Sequence, residues 1–444
     1  MELILETVSP LKELLGKQKY HPEVKYRKMF YTITNKVKDG LLVYNLMTKA
    51  MVLLGHDESD FFSKGEGKIE FLVENWFLVP KDFNERKVWR QVFDIASHLQ
   101  PATKDITRYT IFTTLDCNAR CFYCYQKGKP HIPMSKSVAL DTVKFIKEHS
   151  NGKKVHIQWF GGEPLMNKEI ISFISNELDK AEVCYESRMI TNGYLMDEKT
   201  SVQAKKEWNL KSVQISLDGT QETYNKSKAY VYNETNPYRI VLDNIHSLLE
   251  IGINVNIRLN IELYNADNML DLVRELAKEF KNETGLTIYT HPLCGDTFKN
   301  ASLNDVDKRK VLLLKEREIN DTISSYNLCK KPYLDRKIRI SHCMADNDSS
   351  VTILPDGHIG KCEHFTDSNF IGHLNNNVFD KTTVDSFKLL APEIEACKTC
   401  AYYPECRKPL KCETAQECFP ELQEEQFAKI RRGMLEEYRK YIKS

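Results

Sequence analysis

The stretch RYTIFTTLDCNARCFYCYQKG, residues 108–128, runs from a strand-like segment into Cys117, Cys121 and Cys124, with Tyr123 just before the third cysteine. Three cysteines this close suit a zinc knuckle, a redox pair with a spare, or three ligands of a cluster that normally takes four. Zinc wants a fourth Cys or His at short spacing, and His131, seven residues beyond Cys124, is an irregular partner. Cys121 and Cys124 form a Cys-x-x-Cys, but the small redox domain that carries such a pair has no third ligand. Three thiolates from one loop can hold three irons of a [4Fe–4S] cube and leave the fourth open to a group that is not protein.

Working outward, residues 105–330 read as strand then helix, repeated. RYTIFTTL, VHIQWFGG, CYESRMITNG, SVQISLDG, VNIRLNI and TIYTHPL are strand-like, and helical stretches such as MSKSVALDTVKFIKEH and NMLDLVRELAKEF separate them. Successive βα units with right-handed crossovers make a parallel sheet, here an α/β fold of the partial (β/α)6, TIM-like barrel kind. Chemistry in such a barrel sits at the C-terminal strand ends. The cysteine loop, Gly161-Gly162-Glu163-Pro164, Thr191-Asn192, Ser216 to Asp218 and the Arg258 region all fall there.

Composition agrees with an ordinary globular protein. The 444 residues are 41% hydrophobic and 28% charged with a net charge of +1, which offers no basic excess for nucleic acid. The N-terminal MELILETVSPLKELLGKQK lacks the build of a signal peptide, and no run approaches the roughly 18 apolar residues of a membrane span. The expectation is a cytoplasmic protein without a membrane partner. Thiols stay reduced there, so 13 cysteines read as metal ligands rather than bridges. Three lie at 117–124 and eight between Cys329 and Cys418, while Cys184 and Cys294 stand apart as expected buried thiols.

The Cys-x3-Cys-x2-Cys loop after a first strand, with Gly161 to Pro164 one βα unit later, resembles the radical S-adenosylmethionine (SAM) superfamily over about residues 108–295. The resemblance implies that SAM chelates the open iron and that its reductive cleavage yields a 5′-deoxyadenosyl radical. It implies that Gly161, Gly162, Glu163 and Pro164 receive the methionine moiety, with the Glu163 carboxylate on its ammonium and the glycines letting the backbone approach. Ser216 and Arg258 would bind the SAM carboxylate, Asn192 or Asp218 the ribose beside Thr191, and Tyr123 the adenine. Arg258 ranks first, because an arginine in an otherwise apolar strand is costly unless it meets an anion.

The C-terminal third holds the second cysteine system. Cys343, Gly357 and Cys362 frame TILPDGHIGKCEHF, a hairpin around Pro355-Asp356-Gly357, and Cys397, Cys400, Cys406, Cys412 and Cys418 follow. This resembles the SPASM extension, which carries up to two auxiliary [4Fe–4S] clusters, except that Leu410 stands where the family has a cysteine and the spacing to Cys412 is longer. The resemblance implies a distal cluster on Cys397, Cys400, Cys406 and Cys418 and a nearer one on Cys343, Cys362 and Cys412, with Cys329 an uncertain fourth ligand. Zinc is the alternative. Residues 331–444 form this unit, closed by a helix with Phe427, Ile430, Met434 and Tyr438 on one face, expected to pack against the auxiliary module.

Residues 1–100 form a small α+β unit. Two alternating runs, YRKMFYTIT and GLLVYNLMTKAMVLL, precede three helical candidates, HDESDFFSK, KIEFLVENWFLV and NERKVWRQVFDIASHL; Phe71, Leu72, Trp76 and Phe77 share a face of the second. That winged-helix-like order resembles the recognition element of ribosomal-peptide (RiPP) maturases, whose exposed sheet edge takes a peptide as an added strand. The expectation is therefore an oxidoreductase that binds a precursor peptide, draws electrons from a flavodoxin- or ferredoxin-type donor, and forms a crosslink: a thioether first, a carbon–carbon or carbon–oxygen bond next. An anaerobic sulfatase-maturating enzyme, oxidising Cys or Ser to formylglycine with Glu363 as base, is the alternative. A non-catalytic peptide-binding scaffold with structural clusters is the alternative from another class.

Overall fold

The computed structural model describes the chain except residues 9–10, 65–68, 100–104, 233–234, 282, 294–304, 331–332, 339, 342, 377, 407, 409, 413–417 and 444, and the side chains of 60–61, 63–64, 69 and 99. Cys294 lies outside the described residues.

The N-terminal elements are β1 (Glu2–Leu5), α1 (Leu11–Leu15), β2 (Tyr26–Lys28), β3 (Thr32–Val37), β4 (Gly40–Asn45), β5 (Met51–Leu54), α2 (His56–Lys64), α3 (Ile69–Glu74), β6 (Leu78–Pro80) and α4 (Glu85–Leu99). The two alternating runs form the antiparallel meander β3-β4-β5, to which β1 adds as a fourth strand, in the order β1-β5-β4-β3. The second helical candidate is shorter than its pattern. It stops at Glu74, where Trp76 takes a left-handed φ of 63° and Phe77 N–H returns to Leu72 O at 2.8 Å. Leu78 to Pro80 then pair with β2, because a proline and two apolar residues serve a short strand better than a further helical turn.

The central unit follows the βα pattern: β7 (Arg108–Phe112), α5 (Lys136–Ser150), β8 (Val155–Phe160), α6 (Lys168–Lys180), β9 (Tyr185–Thr191), α7 (Glu198–Glu207), β10 (Leu210–Leu217), α8 (Gln221–Lys228), α9 (Pro237–Glu250), β11 (Asn254–Ile261), α10 (Ala266–Glu279), β12 (Leu286–Pro292) and α11 (Val306–Ser325). All six expected strands pair in parallel in chain order. Alternation divides their faces. Ile111, Ile157, Met189, Ile215, Ile257 and Ile288 are buried under the helices. On the other face the register runs Thr110, Gln158, Arg188 and again Gln214, Asn256. A closed barrel fills its interior with apolar side chains; this open one has a polar lumen. The strand that carries Arg258 is accordingly not apolar throughout, since Asn254, Asn256 and Asn260 share its face with Arg258.

The C-terminal segment extends the same sheet. Strand β13 (Ser350–Ile353) pairs in parallel with β7, then β14 (His358–Gly360) and β15 (Gly372–His373) follow antiparallel, with the expected hairpin turn at 354–358. Helices α12 (Lys381–Ser386) and α13 (Pro420–Tyr441) complete the chain. The apolar face of α13 is as expected, but its main partner is not. Met434 and Tyr438 join Leu42, Tyr44, Met51 and Trp89 in one core, with Phe427 and Ile430 against it. The N-terminal sheet alone is too small to cover its own face, and the last helix covers it. Helix α13 also lies on the β3 edge, where Arg431 Nε donates to Thr34 O at 3.3 Å and Asn35 Nδ2 to Arg431 O at 3.3 Å. So neither edge of the meander is bare. Cys184 is exposed rather than buried, because it sits in the connection ahead of β9, outside the alternation.

Candidate active site

The cysteine loop leaves β7 and is closed at its base by a bridge between Thr114 and Pro133. Asp116 accepts the Cys117 N–H at 2.8 Å and meets His131 Nδ1 at 2.7 Å, so His131 serves the loop's frame and not a fourth ligand position. Burial, with smaller contributions from Glu163 and the other two thiols, pushes the Cys117 thiol up to about 12. Burial raises Cys121 to about 11, with Lys228 working the other way.

Gly161 and Gly162 hold the second strand end against this loop. A Cβ on Gly161 would stand 2.3 Å from Thr114 O, and one on Gly162 2.3 Å from Asp116 O. The same approach makes hydrogen bonds from Gly162 N–H to Thr114 O (3.0 Å) and Glu163 N–H to Asp116 O (2.8 Å). The glycines therefore serve contact between two protein loops. Glu163 is completely buried, and its carboxylate accepts from Thr191 Oγ1 (2.7 Å), Asn192 N–H (2.8 Å) and Leu165 N–H (3.2 Å). Burial raises its pKa to about 7 against those three donors. The carboxylate is thus a clasp between the second and third strand ends. Pro164 starts a short 3-10 turn, and its carbonyl accepts from Thr113 Oγ1 at 3.0 Å. Asn192 closes the circle by donating to Asn118 Oδ1 at 2.7 Å.

On the far side Asp218, fully buried, accepts from Tyr123 OH (2.5 Å) and Asn260 Nδ2 (2.9 Å), and Lys228 Nζ stands 3.3 Å away. Lys228 is 3% exposed and also donates to Ser216 Oγ at 2.7 Å and Tyr123 OH at 3.1 Å. Burial opposes its charge, but Asp218 and Cys121 outweigh burial and raise its pKa. Tyr123, Ser216 and Asp218 are thus brought together by a lysine that the strand-and-loop reading passed over. Lys228 ends α8, a helix with too little apolar periodicity to be singled out. Asn260 was legible in principle, two residues on from Arg258 and on the same strand face.

Arg258 donates from Nη2 to His291 Nδ1 at 2.9 Å, and its buried Nε has no partner. Burial first, then the Arg258 charge, lower the His291 pKa to about 4. No ion pair to a carboxylate holds Arg258 among the described residues. Asn118 Nδ2, Gln126 Oε1 and Asn260 Oδ1 are likewise buried and unpartnered. All four orphaned atoms belong to the cysteine loop or to β11 at the barrel mouth. Unmet donors and acceptors beside three grouped thiols are what a zwitterionic ligand on an iron–sulfur cluster requires, so these residues fit both groups.

Eight cysteines follow the barrel, and seven sort into two groups. Cys397, Cys400, Cys406 and Cys418 all line one cavity of about 340 Å³, with Trp89 and Phe93 of α4 on its wall. Burial and the neighbouring cysteines raise the Cys400 pKa, and burial takes Cys406 to about 11. Burial, then Glu363, with Cys343 and Cys412 nearby, take Cys362 to about 12. The Cys329 thiol meets Ser324 Oγ at 3.2 Å, beside Arg432 and Arg439 of α13. Among the described residues no three Cys, His, Asp or Glu groups converge at single-ion distance. A cubane asks for a wider set, since each thiolate ligates a different iron. Glu363, next to Cys362, is half-buried. It acts on Arg188 of β9 and Tyr125 of the cysteine loop, and the Tyr125 and His364 rings lie 4.7 Å apart.

Residues 111–276 match the family model described as the Radical SAM superfamily. The chain therefore carries a radical SAM domain, and SAM with a [4Fe–4S] cluster is the cofactor set this family implies. Among similar proteins, GTP 3',8-cyclase of Clostridium perfringens is 27% identical over 274 residues, 59% of this chain and 82% of the relative. Fe-coproporphyrin III synthase of Methanosarcina barkeri is 25% identical over 256 residues, 55% of this chain and 62% of the relative. Of solved structures, native anSMEcpe with bound AdoMet aligns with a TM-score of 0.56 at 16% identity, covering 74% of this chain and 98% of that one. Streptococcus suis SuiB bound to S-adenosylmethionine reaches 0.48 at 12% identity, over 86% and 94%. The anSMEcpe likeness shows the fold. No helix among the described residues is long and apolar enough to cross a membrane.

Proposed function

We propose that this protein is a radical SAM peptide maturase that crosslinks a ribosomally made precursor, with a thioether the first bond to expect and a carbon–carbon or carbon–oxygen bond the next. The observation that carries the reading is a cavity of about 480 Å³ in the polar barrel lumen. Its walls run from Thr110, Gln158 and Arg188 to Cys343 and Met344 of the auxiliary segment. A chain segment lying there would run along the polar strand faces to Cys343, one of the auxiliary cysteines. The N-terminal sheet, joined to the auxiliary segment through α13, supports a substrate long enough to be held at a distance from its reacting residue. One anSMEcpe structure was obtained with the Cp18Cys peptide, and its fold is shared over 75% of this chain.

In this reading Cys117, Cys121 and Cys124 hold the cluster that binds SAM, and when bound the pair supplies a carbon-centred hydrogen abstractor. Glu163 and Asn192 fix the loop relative to the strand ends. Arg258 supplies the cation for a carboxylate, and Tyr123, Asp218 and Lys228 form a rigid polar wall beside it. Cys397, Cys400, Cys406 and Cys418 would hold the distal auxiliary cluster. Cys343, Cys362 and Cys412 would hold the nearer one, leaving Cys329 out and one iron position open. Removing one hydrogen atom from the peptide carbon and one proton from the peptide thiol would balance the thioether with one further electron passed to an oxidised auxiliary cluster, were one held by the Cys343 or Cys397 set.

A second reading, oxidation of a Cys or Ser side chain to formylglycine, is favoured by Glu363 beside Cys362, close enough to Arg188 of β9 to act on its charge, and by the anSMEcpe fold. The test is co-expression with the product of a short neighbouring reading frame, followed by mass spectrometry. Loss of two hydrogens with appearance of 5′-deoxyadenosine supports the crosslink, and a Cys- or Ser-derived aldehyde supports the second reading. Turnover of GTP with neither peptide product would overturn both.

A further inference from the structure

We infer that β1 occupies, in cis, the edge on which the precursor peptide docks, and that the peptide binds by taking its place along β5. The inference rests on the peptide-maturase reading for the partner's class and on the sheet for the site. Of the meander's two edges, β3 is covered by α13, whose Arg431 donates to Thr34 O. The β5 edge is covered by four residues alone, Glu2 to Leu5. Their backbone pairing with the sheet is short and irregular. Side-chain and terminal ties hold the strand's start, where the Met1 ammonium meets Glu58 of α2 at 2.6 Å and Tyr441 of α13 bonds Glu2. Glu2 pairs with Leu53, Leu3 with Val52 and Leu5 with Met51, and the register slips between Leu3 and Leu5 so that Ile4 is unmatched.

Burial is unequal across this pair. Every residue of β5 is buried, whereas none of β1 is. An edge strand that is short, bulged and half-exposed opens more readily than the strands it covers. Its side chains nevertheless match the slot: Leu3 packs on the core formed by Val52, Leu54 and Phe62, while Ile4 and Leu5 pack on the one formed by Met51, Leu53 and Tyr44. Arg336 Nη2 donates to Glu6 O at 2.5 Å just beyond the strand. The occupant thus describes what the edge accepts: an extended segment with consecutive leucine- or isoleucine-like residues, the first on one apolar core and the next two on the other, and backbone amides offered to β5. Adding the peptide outside β1 instead would leave it pairing with a strand whose own ladder is interrupted at Ile4.

The probe is the synthetic octapeptide MELILETV, labelled with fluorescein and titrated against three forms of the cluster-loaded protein: the unaltered chain, a chain lacking residues 2–7, and the full chain carrying Leu3→Lys and Leu5→Lys. Tighter binding to both altered forms, by tenfold or more, is expected, and the same peptide bearing those two lysines should not bind any form. Iron content equal to the unaltered chain's verifies that the altered forms fold. Hydrogen exchange on the unaltered protein needs no variant. Amides of residues 3–5 should exchange at least 100-fold faster than those of β4 and β5, and saturating precursor should deprotect them further while β5 stays protected. Equal binding to all three forms, or β1 amides as protected as β5, overturns the inference. A protein that modifies its precursor while β1 stays paired keeps the maturase reading and loses this one; a protein that exchanges the strand and modifies no peptide does the reverse.

Discussion

Replacing Gly162 by alanine adds one methyl group where there is no room for it. The new Cβ would lie 2.3 Å from Asp116 O, 2.7 Å from Asp116 C and 2.8 Å from Leu115 O, all backbone atoms that no rotamer change can move. Relief to a tolerable 3.0–3.4 Å requires the cysteine loop and the second strand end to separate by about 0.7–1.1 Å. The hydrogen bonds from Gly162 N–H to Thr114 O and Glu163 N–H to Asp116 O, at 3.0 and 2.8 Å, lengthen by a similar amount. At about 1 kcal/mol per bond, the two together lose about 2 kcal/mol of loop anchoring. A displacement near 1 Å in a positioned reacting group costs on the order of 100-fold in rate. Gly162 is not among the glycines with positive φ, so the effect is steric alone, whereas Gly161 at φ 153° would add backbone strain. The assay is anaerobic reconstitution followed by iron determination and the rate of 5′-deoxyadenosine release from SAM. Gly55→Ala, whose nearest contact would be the flexible Glu58 side chain at 3.5 Å, is the control. The expected outcome is a fall of about 100-fold in rate with the auxiliary irons retained. A variant that keeps more than half the rate would refute the claim that these glycines exist for the contact with the cysteine loop.

Lys228→Met leaves Asp218 buried without its cation and should destabilise the apo chain by roughly 3–5 kcal/mol in urea unfolding. Adding Asp218→Asn should recover part of that loss, and additive losses would show that the two do not act as a pair. Cys329→Ser should leave the iron content unchanged, whereas Cys412→Ser should lower it; a matching drop in both would return Cys329 to the nearer ligand set. His291 has a folded pKa of about 4 against an ordinary value of 6.5, lowered by burial and by Arg258. The unfolded chain therefore binds the proton first, so the contribution of His291 is complete above pH 6.5 and falls as pH drops toward 4, by about 3 kcal/mol in all. His291→Asn should flatten that part of the stability profile, and an imidazole that titrates near 6.5 by NMR would contradict the assignment.

Much of the barrel was legible because its code is local. Each strand run ends in an unusual loop, and parallel order follows from one crossover rule applied repeatedly. The three-cysteine loop and Gly161 to Pro164 were likewise visible as spacing. Their reasons were less so. The family resemblance implies that the glycines make room for a ligand and that Glu163 meets an ammonium; the structure adds that the glycines also face Thr114 and Asp116 and that Glu163 accepts from Thr191, Asn192 and Leu165. Both contacts were hidden for one reason. A motif shows which residues are special, while the partner that makes each special lies tens of residues away. Lys228 is the converse case, an ordinary-looking helical lysine whose position follows from the path of α8 beneath the cysteine loop, where its carbonyl takes the Arg120 N–H at 2.8 Å.

The amino-acid sequence by itself determined the strand-and-helix order, the three cysteine groupings in outline and the chemistry they suit, because periodicity and spacing are properties of neighbours along the chain. Tertiary structure alone decided that Cys329 meets Ser324 at the end of α11, that α13 completes the core of the N-terminal sheet, and that β1 covers its β5 edge. These depend on which surfaces remain uncovered after every element has formed. That is settled by burial across the whole molecule, with contacts spanning up to 439 residues, as between Glu2 and Tyr441.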